Sequence, residues 1–100
     1  MNVLETSTAG TLESSDIMIT LEPGGGGIEI KLQSIVEKQF GRDIRRAIEE
    51  TLTELEIKSA RITAVDKGAL DCTIRARTKT AAFRSCKNVS YEWKAPEGGG

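Results

Sequence analysis

Asp16-Ile-Met-Ile-Thr-Leu-Glu-Pro-Gly-Gly-Gly-Gly-Ile-Glu-Ile-Lys-Leu-Gln33 is the stretch that decides the fold class. Apolar and polar side chains alternate on both sides of its glycine run, with apolar positions at Ile17, Ile19, Leu21, Ile28, Ile30 and Leu32. Alternation of this kind is typical of strands with one buried face. The stretch therefore predicts two strands, and the Pro-Gly break predicts that they form a hairpin.

A helix is predicted directly after the second strand. Ser34-Ile-Val-Glu37 has the spacing of a capping box, which marks a helix start. One apolar stripe at helical spacing follows, formed by Phe40, Ile44, Ile48, Leu52 and Leu55. Gly41 lies inside this run, so either the helix bends there or the main helix starts near Arg42.

Two more strands are predicted after the helix. Arg61 to Asp66 is the third, and Asp66-Lys-Gly68 has the composition of a turn. Alternation of Leu70, Cys72, Ile74 and Ala76 with polar residues predicts the fourth, and a short helix or frayed segment is expected over residues 78–84. The predicted class is α+β, with an antiparallel sheet of about four strands and one main helix in the order ββαββ, and a short C-terminal helix.

Local composition suggests where the domain begins and ends. Residues 1–8 are polar without a usable period, and we expect a flexible lead there. Residues 9–87 are expected to form the domain, and the polar, glycine-ended stretch 88–100 is expected to be mostly disordered.

Charge and composition exclude several classes of function. A net charge of −1 gives no concentrated positive field for nucleic acid. No apolar run approaches the roughly 20 residues that span a bilayer, and the N-terminus lacks signal-peptide features, so we expect a cytoplasmic protein. Histidine is absent, which removes Ser–His and Cys–His nucleophile pairs. Two cysteines without histidine predict no metal site, and Cys72 is expected to be a small buried residue.

Thr11-Leu-Glu-Ser-Ser-Asp16 is the one segment whose pattern hints at chemistry. It places two adjacent hydroxyl groups between Glu13 and Asp16. A local turn that closes on its own backbone explains this composition, because no base stands beside either serine. Composition alone favours this turn.

Three separated blocks resemble the citrate lyase acyl carrier protein family. They are Ala9-Gly-Thr-Leu-Glu-Ser14 followed by Asp16 and Met18, then Val36-Glu-Lys-Gln-Phe-Gly41 with Ile44-Arg45, and finally Asp66-Lys-Gly-Ala-Leu-Asp-Cys72 with Arg75-Ala-Arg77. Their order and spacing extend the resemblance from about residue 9 to residue 77.

The resemblance implies a carrier that is not itself a catalyst. It implies that Ser14 bears 2'-(5''-phosphoribosyl)-3'-dephospho-coenzyme A through a phosphodiester, on a mobile loop that precedes the first strand. The terminal thiol of this arm would carry acetyl and citryl thioesters while citrate is cleaved to acetate and oxaloacetate. The implied partners are the alpha (acyl transferase) and beta (citryl lyase) subunits and the transferase that attaches the arm.

Recognition residues are predicted around the serine and on two basic clusters. Glu13 and Asp16 flank the attachment segment. Arg45 and Arg46 stand early in the helix, whereas the acidic residues stand late, against the preference of the helix dipole. The helix surface that carries arginines at one end and acidic residues at the other is either a docking face for a partner or ordinary solvated surface.

Arg75, Arg77 and Lys79 would share one face of the fourth predicted strand and its continuation. There they either contact the phosphates of the arm or the carboxylates of citrate, or serve solubility.

The sequence leaves three alternative functions. They are a citrate lyase acyl carrier, a carrier of another acyl group such as malonyl, and an interaction or scaffold domain whose 11–16 segment is only a turn.

Overall fold

A four-stranded sheet covered on one face by two helices makes up the computed structural model, which describes residues 2–86. The elements in chain order are β1 (Ser7–Gly10), β2 (Ile17–Pro23), β3 (Ile28–Ser34), α1 (Glu37–Glu54), β4 (Ala60–Asp66) and α2 (Asp71–Ser85). The predicted α+β class is confirmed. The predicted lead contains an element after all, since β1 begins at Ser7. The predicted disordered tail, 88–100, lies outside the described residues.

The sheet is mixed rather than antiparallel, with the strand order β1-β2-β4-β3. β1 pairs with β2 and β2 with β4 in antiparallel fashion, whereas β3 and β4 run parallel. The predicted hairpin of β2 and β3 is wrong, because β4 lies between these two strands. Parallel pairing requires a crossover, and α1 provides it between β3 and β4.

The glycine run connects two strands that are not neighbours, so it has to arch over the start of β4. Pro23 and Ile28 both pair with Ala60, one from each side. A Cβ on Gly24 would lie 2.8 to 2.9 Å from the backbone of Ala60. Only a residue without a side chain permits this approach.

α1 is one continuous helix that passes through the buried Gly41 and does not restart at Arg42. The predicted capping box does not form, because the Oγ of Ser34 faces the sheet. It donates to Asp66 Oδ2 at 2.8 Å and accepts from the N–H of Val36 at 3.0 Å. The predicted stripe is largely correct, since Ile44, Ile48 and Leu52 are buried, whereas Phe40 is 44% exposed.

The segment predicted as a fourth strand is the first half of the helix α2, and the short helix expected over residues 78–84 is its second half. Its buried side chains are Ile74, Thr78, Ala81, Ala82 and Ser85, which follow helical spacing. The Thr78 hydroxyl donates to the carbonyl of Ile74 at 2.8 Å, and this bond satisfies a buried polar group inside the helix. Cys72 is exposed in the first turn, so the expectation that it is buried is also wrong.

The core lies between the sheet and the helices. β2 contributes Ile17, Ile19 and Leu21 to it, and β4 contributes Ile62 and Ala64, all with no exposed surface. Ile48 and Leu52 of α1 close this layer from the helix side. Fully burying one such aliphatic side chain is worth about 1.5–3 kcal/mol, so the alternating positions seen in the sequence fix which face of each strand is covered.

Candidate functional site

Ser14 lies in a six-residue hairpin loop, residues 11–16, that joins β1 to β2. Gly10 pairs with Met18 at the base of this loop and has a φ of +95°. A Cβ at Gly10 would lie 1.8 Å from the carbonyl oxygen of Ile17, so the tight closure of the loop requires glycine. The loop follows a paired strand rather than a flexible lead.

The carboxylate of Asp16 stabilises the loop by accepting hydrogen bonds from several residues. Its Oδ2 accepts hydrogen bonds from the Thr11 hydroxyl at 2.6 Å and from the Thr11 N–H at 3.1 Å. The Arg77 guanidinium contacts both carboxylate oxygens, with Nε to Oδ1 at 3.0 Å and Nη2 to Oδ2 at 3.1 Å. The N–H of Ile17 donates to Oδ1 at 2.7 Å.

This network changes the acidity of Asp16. Hydrogen bonds from Arg77 and then Thr11 hold the pKa of the Asp16 carboxyl well below its usual value of 3.8. The group is therefore a permanent anion near neutral pH, and its lone pairs are used by the chain itself. Asp16 is a structural anchor of the loop rather than a base for a serine.

A second tie joins the loop to the turn after β4. The N–H of Ser15 donates to the carbonyl of Lys67, and the N–H of Lys67 donates to the carbonyl of Asp16, both at 2.8 Å. Ser15 has a φ of +67°, in the left-handed region that costs most residues about 1–2 kcal/mol. The backbone on the C-terminal side of Ser14 is thus fixed against the turn of residues 66–69.

Ser14 itself is exposed. With the residues that the structure describes, its hydroxyl makes no hydrogen bond or ion pair. No base adjoins it, so it cannot act as a nucleophile unaided. Its free hydroxyl on a braced loop is suited to attack a phosphoryl donor held by another enzyme, which supplies the base and takes up the leaving group, and so to form a phosphodiester. This chemistry of the site suits the covalent arm that the resemblance implies.

The predicted recognition residues occupy different surroundings. Glu13 is exposed next to Ser14, and its carbonyl accepts from the N–H of Asp16 at 3.1 Å. Arg77 keeps 41% of its side chain exposed although it binds Asp16. These two residues and Asp16 are the predicted positions that the fold gathers around Ser14.

Arg75 does not join that group. On a helix Arg75 and Arg77 lie about 200° apart, so the shared strand face predicted for them with Lys79 does not exist. Arg75 binds Glu50 at 2.8 Å and Asp71 at 2.7 Å, and these two carboxylates raise the pKa of its guanidinium above the ordinary value.

The two arginines of α1 also separate. Arg45 donates to the carbonyl of Ile30 at 3.1 Å and contacts Glu37 at 3.5 Å, which fastens α1 to β3. Arg46 is exposed and lines a groove between α1 and the start of α2. Sequence reasoning missed this groove, because Leu70 and Ile74 looked like the alternating residues of a strand.

No helix within residues 2–86 combines the length and the apolar character needed to cross a membrane. In the same range no three side chains of the His, Cys, Asp and Glu types are grouped so as to hold a metal ion.

Comparison with known proteins decides the family. A family model described as "ACP: Malonate decarboxylase delta subunit (MdcD)" matches residues 4–85. The citrate lyase acyl carrier protein of Latilactobacillus sakei subsp. sakei (strain 23K) is 56% identical over 94 residues, which cover 94% of this chain and 93% of that protein. The citrate lyase acyl carrier protein of Streptococcus mutans serotype c is 56% identical over 95 residues, with the same coverage.

The chain belongs to the citrate lyase acyl carrier protein family. Citrate lyase acyl carrier proteins are carriers rather than catalysts, so the predicted non-catalytic role is confirmed.

The fold of this citrate lyase acyl carrier family member also occurs in a solved structure. One chain of the crystal structure of a Pseudomonas malonate decarboxylase hetero-tetramer in complex with malonate superposes with a TM-score of 0.72. The match covers 84% of this chain and 87% of that chain at 21% sequence identity, so it establishes a common fold.

Proposed function

We propose that this protein is the acyl carrier subunit of a citrate lyase, and that Ser14 bears the arm. The observation that carries the proposal is an exposed serine without a partner among the described residues, held on a braced hairpin loop, in a chain 56% identical to citrate lyase acyl carrier proteins. The proposed arm is phosphoribosyl-dephospho-coenzyme A in phosphodiester linkage. When bound, it supplies a thiol that carries acetyl and citryl groups as thioesters.

The residues of the chain itself position the arm and leave the chemistry to other subunits. Asp16, Arg77 and Thr11 hold the loop, and the Ser15 backbone fixes it to Lys67. A tethered acyl group meets each active site at high effective concentration, provided that its anchor is accessible to each of them. Ser14 meets this condition because it is exposed at the end of a hairpin.

The proposed partners follow from this role. They are the alpha subunit, which exchanges acetyl for citrate, the beta subunit, which cleaves citryl to oxaloacetate and acetyl, and the transferase that attaches the arm. All of these reactions are proposed to take place in the cytoplasm.

A carrier of malonyl groups is the second candidate. The description of the matching family model, which names a malonate decarboxylase subunit, favours it. Identity to citrate lyase carriers over nearly the whole chain favours citrate. The enzyme subunits that copurify with the protein distinguish the two candidates.

The test is intact-mass and peptide-level mass spectrometry of protein isolated from its own source during growth on citrate. We expect a nucleotide-sized phosphodiester adduct on Ser14. Ser14→Ala is expected to abolish the adduct. Ser15→Gly is the matched control, and it should retain the adduct because glycine adopts the left-handed backbone of Ser15 readily. An unmodified Ser14 in active lyase complex would overturn the proposal and favour a scaffold role.

A further inference from the structure

A groove with a volume of about 710 Å³ opens between the first half of α1, the turn after β4 and the start of α2. This volume falls within the range of roughly 300–1,000 Å³ that is typical of small-molecule pockets. Six apolar side chains line its walls. Two of them, Ile44 and Ile74, are buried, and the other four are half-buried or exposed: Val36, Phe40, Ala69 and Leu70. Ser14 is not among the residues that line this groove.

The groove lies beside the attachment loop. The N–H of Ser15 bonds to the carbonyl of Lys67, and the next residue, Gly68, already lines the groove. Bond lengths along this path keep the Cα atoms of Ser14 and Gly68 within about 12 Å of each other. A long flexible group on Ser14 therefore has the groove within its reach.

The apolar walls of the groove remain accessible. Leu70 is 70% exposed and Phe40 is 44% exposed, although both are large apolar side chains. Ile35, which is 69% exposed, stands beside them, since its Cδ1 lies 4.0 Å from the Cβ that Gly68 would carry. Large exposed apolar side chains gathered around one groove are a feature of ligand-binding grooves.

The charges of the groove indicate which part of a ligand fits. Four carboxylates and two guanidinium groups line it, which leaves two excess negative charges: Asp43, Glu50, Asp66 and Asp71 against Arg46 and Arg75. Arg75 is already engaged by Glu50 and Asp71. A phosphate or a free carboxylate is therefore disfavoured here, whereas a neutral chain with amide N–H groups and an apolar end is accepted.

We infer that this groove holds the neutral pantetheine end of the arm in its acetyl-loaded form. The inference rests on the proposed function, because it requires the arm on Ser14. Phe40, Leu70 and Ile74 cover the acetyl end and exclude water from it. The phosphates stay outside, near the loop.

The same charges distinguish the two acyl states. Acetyl adds no charge, whereas citryl adds two free carboxylates that would face the excess negative charge of the groove. The acetyl-loaded end is held, and the citryl-loaded end is released toward a partner. The groove thus sorts the two states without any change of fold.

The first experiment compares amide resonances in ¹H–¹⁵N NMR spectra of the unmodified, acetyl-loaded and citryl-loaded carrier. We expect the acetyl-loaded form to shift residues 68–74 as well as the loop of Ser14. Residues 56–59 serve as the internal control, because they lie outside the groove. The citryl-loaded form should shift the loop while residues 68–74 return toward their unmodified positions.

The second experiment measures how fast hydroxylamine, a small neutral nucleophile, cleaves the acetyl thioester of the loaded arm to acetohydroxamate and the free thiol. Leu70→Glu removes an exposed apolar wall and should raise the rate of this cleavage by about threefold or more. Leu4→Glu is the matched control, since Leu4 is 54% exposed and does not line the groove, and it should leave the rate unchanged. Phe40→Ala repeats the test from the opposite wall, and thermal unfolding checks that each variant is folded.

The outcomes separate this inference from the proposed function. An arm found on Ser14 while residues 68–74 do not shift would overturn the groove inference alone. Equal shifts in the acetyl and citryl forms would overturn the sorting by charge. Shifts of residues 68–74 that appear only when the lyase subunits are added would assign the groove to a protein partner instead. Absence of the arm from Ser14 in native complex would remove both proposals.

Discussion

At the scale of single residues, Asp16 determines how Ser14 is presented. It joins Thr11, five residues before it, to Arg77, which is 61 residues further along the chain. Ordering a loop costs conformational entropy of about 1–2 kcal/mol per residue, and these charge-assisted bonds offset part of that cost. The serine is therefore held in place, although its own side chain makes no contribution.

Asp16→Asn should lower the free energy of unfolding by about 1.5–3 kcal/mol, because an amide cannot accept two bonds from Arg77 as the carboxylate does. Urea denaturation at neutral pH measures this change. Glu13→Gln is the control, since the side chain of Glu13 is exposed in the same loop, and it should have little effect. Equal stability of the two variants would show that the network contributes nothing.

The contribution of Asp16 should also depend on pH. Its pKa in the folded protein lies below 3.8, so the folded state binds this proton more weakly than the unfolded chain does. The stabilisation is then complete above about pH 5 and is lost progressively as the pH falls through 4 toward the lower folded pKa. The stability difference between wild type and Asp16→Asn should shrink between pH 7 and about pH 3. A constant difference would contradict this assignment.

At the scale of elements, α1 ends in a Schellman motif. The N–H of Glu56 donates to Thr53 and that of Ile57 to Leu52, both at 3.0 Å, while Glu56 has a φ of +58°. The buried Ile57 follows the left-handed residue, as this motif requires. Glycine is the residue that adopts this backbone at the lowest cost.

Glu56→Gly should therefore stabilise the protein by about 0.5–1 kcal/mol. Glu49→Gly, on the exposed face in the middle of α1, should instead destabilise it by about 1 kcal/mol. The opposite signs, read from paired thermal or urea unfolding curves, are the diagnostic result. Destabilisation by both variants would show that the side chain of Glu56 outweighs its backbone strain.

Local pattern predicted β2, β3, α1 and β4, because each has a clear period of apolar residues. It failed for the first half of α2, a helix whose buried face consists largely of Thr, Ala and Ser rather than large aliphatic residues. The alternation from Leu70 to Ala76 then outweighed a weak helical signal, although Leu70 and Cys72 are in fact exposed. Small residues on a helix face allow close packing but leave little trace in a hydropathy pattern.

The sequence pattern also failed to predict which strands are neighbours in the sheet, for a different reason. The alternation in β2 and β3 indicates which side chains face the core, but it carries no information on which strand lies beside which. The glycine run fits a hairpin turn and an arch over β4 equally well. The position of Ser14 just before β2 was predictable, whereas the Asp16–Arg77 contact that fixes its loop was not, because 61 residues separate the partners.

At the scale of the whole molecule, several elements meet at one end of the sheet. β3 and β4 finish there, β2 begins there, and both helices start there, next to the loop of Ser14. Ser34 binds Asp66 at this end and joins the ends of β3 and β4. The glycine run lies at the opposite end of β4. Any partner that acts on Ser14 must therefore approach the end where α1 and α2 begin.

Arg46 is an exposed arginine in the first half of α1, and it tests the predicted docking face. Arg46→Glu should weaken assembly with the lyase subunits by about tenfold, because the charge faces the partner, and the loss should diminish at high salt. The free energy of unfolding should not change. Arg45 is unsuitable for this test, since it binds the backbone of β3. Lys58→Glu, an exposed reversal near the glycine run, is the control, and unchanged assembly of Arg46→Glu would dismiss the docking role.

The central place of β4 has a consequence for the order of events during translation. Among the strands within residues 2–86, β4 is synthesised last, yet it pairs with both β2 and β3. A growing chain that has emerged only to residue 59 holds β1 and β2 on one side, β3 on the other, and a gap of one strand between them. The hairpin of β1 and β2 can pair alone, but β3 cannot join the sheet before β4 arrives, and Arg77 follows later still. The loop around Ser14 thus reaches its final form only after Arg77 has emerged, and an enzyme that reads this form needs the chain at least through that residue.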